Sequence, residues 1–90
     1  MPGFFDDLPI ALAREAEALS ALIHALREDR KTVLARHGAA DEAALYAAIA
    51  AGEVPEHPAY EDYLSAGSLL LAHDAARVTL QQLLAEGGRQ

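Results

Sequence analysis

The segment from Pro58 to Glu86 has helical character but is apolar almost all the way round. At about 100° per residue, Tyr60, Leu64, Leu71, Ala75 and Val78 fall on one stripe. Leu69, Leu70, Ala76, Leu80, Leu83 and Leu84 occupy much of the remaining circumference. A helix with one apolar stripe packs on one neighbour, whereas a helix apolar all round is covered on most sides. A chain of 90 residues has too few other elements to cover it. The second surface is therefore expected to meet another copy of the chain or another protein.

Composition supports an all-α chain. Hydrophobic residues make up 52%, but 21 of the 90 residues are alanine. Alanine favours helix and adds little burial per residue, so leucine supplies most of the core volume. Val, Ile and Thr are scarce, and no alternating run of strand length appears. The length suits one small domain over 1–90. Such a domain buries a modest fraction of its surface.

Three helices are expected, at about 7–37, 42–51 and 58–86. In the first, Asp6 or Asp7 is the expected N-cap, with Pro9 tolerated in the opening turn and Phe4 or Phe5 stapled onto Ile10 or Ala11. Gly38 is the expected left-handed stop. Leu12, Leu19, Leu26 and Val33 recur every seven residues, followed at four by Ala16, Ile23, Arg30 and His37. That is the seam of coiled coils and four-helix bundles. The second helix has Asp41 as N-cap and Gly52 as stop. Pro55 and Pro58 impose extended backbone at Val54 and His57, and Pro58 suits the first position of the third helix. Gly87 and Gly88 are expected to end that helix. The architecture that follows is a long antiparallel helical hairpin with a short helix in the elbow, self-associating into a four-helix bundle.

The net charge of −7 is uneven. From Asp41 to Asp62 there are six acids and no Lys or Arg. Phosphate contacts need a basic face, so a nucleic-acid partner is not expected. An anionic membrane surface is disfavoured for the same reason. No apolar run approaches 20 residues, and Met1 to Ile10 lacks a basic, signal-peptide-like start. A cytoplasmic location is the expectation. Without cysteine, no disulfide, thiolate metal site or cysteine nucleophile is available.

No catalytic motif stands in the sequence. There is no phosphate-binding glycine loop, GxSxG, HExxH or ExxH pair. His24, with Glu17 and Glu28, reads as a solvated helix face, and His57 sits in the acidic elbow. His73 lies mid-way along the second stripe of the third helix, next to Asp74. In a two-fold dimer such a residue meets its own mate. His73 and Asp74 are thus the candidate metal ligands, or a pH-sensitive contact. The candidate interface comprises Leu69, His73, Ala76, Leu80, Leu83 and Leu84. Arg30 interrupts the seam of the first helix, within expected reach of Glu53, Glu56 or Asp62. Gly67, mid-helix, suggests close approach of a neighbouring helix, expected to be the first.

Together these features point to a small non-enzymatic interaction or accessory protein acting as a homo-oligomer, most simply a dimer. One alternative is a metal- or cofactor-binding bundle using His and carboxylates, with no cofactor identified by the residues. A second is a subunit that docks on a larger protein partner through the third helix.

Overall fold

The computed structural model describes residues 9–88, all of whose regular structure is helical. Helix α1 runs Ile10–Ala35, α2 runs Glu42–Ala50 and α3 runs Glu56–Gly88. The expected cap at Asp6 or Asp7 and the phenylalanine staple lie outside the described residues. Helices α1 and α3 pack side by side, and α2 lies against α3 at the elbow. The hairpin is a slender body of 55 × 22 × 16 Å. No described helix is long and apolar enough to cross a membrane.

Both elbow turns close as their glycines require. Gly38 has φ 64°, with Gly38 N–H donating to Ala35 O and Ala39 N–H to Leu34 O. Gly52 has φ 73°, with Gly52 N–H donating to Ile49 O and Glu53 N–H to Ala48 O. Each pair of bonds is a Schellman closure, which satisfies the last carbonyls of the helix. At the start of α2 the Asp41 carboxylate accepts from Ala44 N–H at 2.8 Å, the capping bond its position predicts.

Helix α3 begins as expected and departs from expectation at its other end. Its first turn contains His57 at φ −111°, ψ 128°, the extended geometry imposed on a residue before proline. Regular helix therefore starts at Pro58. At the other end α3 continues through Gly87 to Gly88. Gly87 is buried, so packing there outweighs its poor helix propensity.

The core is thin and largely alanine. Ala16 and Leu34 of α1 are buried, as are Ala59, Ala66, Ala76 and Leu83 of α3. The densest cluster lies at the elbow, where Leu34, Leu45, Ala59 and Ala66 meet, backed by Val33, Ile49, Val54 and Tyr63. Leu45 is the largest fully buried side chain among the described residues. Leu45→Ala should cost about 3 kcal/mol, since buried leucine truncation removes transfer energy and leaves a cavity. Urea unfolding followed by circular dichroism checks this.

Candidate interaction surface

Ala59, Asp62, Ala66, Leu69, His73, Ala76, Leu80 and Leu83 of α3 are buried or half-buried and form one row, flanked at the elbow by the half-buried Tyr63, Gly67 and Leu70. Steps of three and four place it on a single face, and that face is turned to α1. Leu80 and Leu84 border a gap shared with Ser20 and Ile23 of α1. The α1 seam read from the sequence is the matching face: Leu12, Ala16, Leu19, Ile23, Leu26, Arg30, Val33 and His37 are all buried or half-buried.

This corrects the assignment of faces on α3. Leu69, His73, Ala76, Leu80, Leu83 and Leu84, expected between molecules, lie on or beside the row that α1 covers. The stripe left outside is the other one. Leu71 is 73% exposed, and Tyr60, Leu64 and Val78 are each about half exposed. Ala75 and Ala85 are exposed along the same row. Periodicity gave both stripes; it held no information on which of them α1 would take.

Aromatic residues extend this outer face at the elbow. The Tyr63 ring lies 5.6 Å from Tyr46 and 6.2 Å from Tyr60, centroid to centroid. Beside them runs an open groove of about 460 Å³, lined by Tyr63, Leu64, Gly67, Leu70 and Leu71, with Glu42 at its rim. Gly67 contributes to the opening. A Cβ built there would meet nothing within 4 Å, so no helix of this chain approaches it closely. The expectation of α1 packed on Gly67 is thereby overturned.

The polar candidates resolve into local pairs. His73 Nδ1 is 3.1 Å from Asp74 Oδ1, with the imidazole 15% and the carboxylate 60% exposed. Among the described residues no three His, Asp or Glu side chains are gathered to hold a metal. His24 Nδ1 contacts Arg27 at 3.3 Å on an exposed face. His57 pairs with Glu61 at 2.7 Å, also exposed. Among the described residues Arg77 makes no ion pair.

Arg30 finds a partner that the sequence reading did not name. Its guanidinium grips Glu42 of α2 through both nitrogens of the fork, Nε to Oε2 at 2.6 Å and Nη2 to Oε1. The side chains are only 22% and 17% exposed. Glu42 stands in the first turn of α2, where negative charge is also favoured by the helix dipole. A second clamp joins α1 to α3, where Asp62 accepts from His37 at 2.8 Å and sits 3.6 Å from Arg36.

The hydrogen bond from Arg30 holds the Glu42 carboxyl below the usual carboxylate range, against the opposing effect of burial. A folded-state value below the unfolded one stabilises the fold above the unfolded pKa, and that gain is lost as pH falls through the folded pKa. Stability should therefore decline below the ordinary carboxylate range, with Glu42 contributing. Glu42→Gln should cost about 1–2 kcal/mol at neutral pH and flatten that part of the acid profile. Thermal melts of both proteins across acidic pH check it.

The chain belongs to the uncharacterized protein MJ0235 family, whose sequence profile matches residues 12–88. Comparison with curated proteins and with solved structures found no match.

Proposed function

We propose that this member of the MJ0235 family is a small non-enzymatic interaction protein that acts as a homo-oligomer, a dimer of helical hairpins with four long helices. The observation that carries the reading is the outer row of α3. Tyr60, Leu64, Leu71 and Val78 form a continuous apolar band on a helix whose opposite face is already packed. Isolated exposed apolar residues are ordinary, but a contiguous band marks a surface made for contact. The long helix α1 is different in kind. Its apolar seam is consumed by α3, leaving charged residues such as Arg14, Glu17, Glu28 and Lys31 outside. Thus α3 is the central helix of the assembly and α1 the outer one. The acidic balance of the chain argues against nucleic acid as the partner. A cytoplasmic site of action belongs to the same reading, resting on the cysteine-free composition.

Sedimentation velocity of the purified chain tests this. The expected result is a species of about twice the 9.6 kDa chain mass at tens of micromolar. A folded monomer throughout that range would overturn the proposal. Two substitutions separate the faces. Leu71→Glu should leave a helical monomer, because the charge lands on a surface exposed within the chain. Leu80→Glu should unfold the hairpin by more than about 2 kcal/mol, because it forces a charge between α1 and α3. Sedimentation and circular dichroism on the two variants distinguish these results.

A further inference from the structure

Resting on the self-association proposed above, we infer that the occupant of the α3 outer face is α3 of a second copy, antiparallel, with Leu71 of each copy seated over Gly67 of the other. The outer row has one pronounced knob and one notch. Leu71 is its most exposed large residue among Tyr60, Leu64, Leu71 and Val78. Gly67, one turn before it, presents no side chain, and its groove is open above it. A two-fold axis pairs the same patch with itself, so one knob and one notch on each copy make two equivalent contacts. Placing Leu71 on Gly67 fixes the register. The same register sets Tyr60 against Val78 and Leu64 against the turn at Asp74 and Ala75. Every large residue of the row then has a counterpart.

Charge selects the antiparallel direction. Between Ser65 and Ala85 the helix carries only Asp74 and Arg77, so its central stretch is neutral. The six acids from Asp41 to Asp62 are all at the elbow end; Arg30 and Arg36 offset Glu42 and Asp62, and the other four leave that end net negative. Parallel pairing would lay the two acidic elbows side by side. In the antiparallel register the two Glu61 residues stand roughly 24 Å apart along the axis, about three Debye lengths at physiological salt. Overlap runs from Pro58 to about Leu80, roughly 33 Å along the helix axis.

The chain has no cysteine, so single cysteines report on register cleanly. Gly67→Cys and Leu71→Cys are prepared separately, mixed, and oxidised at concentrations where the unmodified chain sediments as a dimer. The mixture should form the covalent mixed dimer roughly tenfold faster than either variant alone, because a disulfide needs Cα atoms within about 7 Å. Comparable cross-linking of Leu71→Cys with itself would show parallel or shifted pairing and overturn the inference. So would a dimer by sedimentation with no mixed cross-link; the self-association reading would then survive and this face would not. A folded monomer overturns both. Gly67→Leu is the independent check. It fills the notch where nothing in the chain is near, so helicity should be kept while the dimer is lost. Retention of an undiminished dimer by Gly67→Leu would overturn the seating of Leu71.

Discussion

The elbow is organised around one leucine. Leu45 stands on a helix of nine residues, too short to be stable by itself. It is held because Leu45 fills the space where the ends of α1 and α3 diverge, against Leu34, Ala59 and Ala66. The turns at Gly38 and Gly52, the Asp41 cap and the grip of Arg30 on Glu42 all serve to deliver that side chain. Its insertion fixes where α3 begins relative to α1. From there the row of α3 runs along the seam of α1.

Much of this was legible beforehand because it is written in local rules. Asp41, Gly38 and Gly52 carry capping and left-handed turn signals that act within a few residues. The sevenfold recurrence from Leu12 to Val33 defines one face of α1 without reference to any partner. Helix α3 was harder for a physical reason. With apolar residues around its circumference, periodicity alone gives no preference between two faces. The choice falls to steric fit: Ala59, Ala66 and Ala76 let α1 approach closely, whereas Leu64 and Leu71 would hold it away.

The Arg30–Glu42 pair was half legible. An arginine in an apolar seam announces a need for a carboxylate, but several acids lie in the elbow and sequence distance does not rank them. The packing of α2 against α3 at the elbow decides, and it brings Glu42 into a bidentate fork with Arg30. Gly67 misled for a related reason. A glycine inside a helix signals that something requires its space, yet that something need not belong to the same chain.

One feature of the charge layout bears on how the molecule moves. Among the described residues, every ion pair that joins two helices lies at the elbow: Arg30 to Glu42, and Arg36 and His37 to Asp62. Toward the far end the buried residues are Ala16, Leu83 and Gly87, without such a clamp. Cooperative stability is then graded along the long axis, since local opening follows contact density. The hairpin behaves as a pair of tweezers with a stiff hinge: amide protection persists longest around Leu34, Leu45 and Ala66 and fades toward the tips.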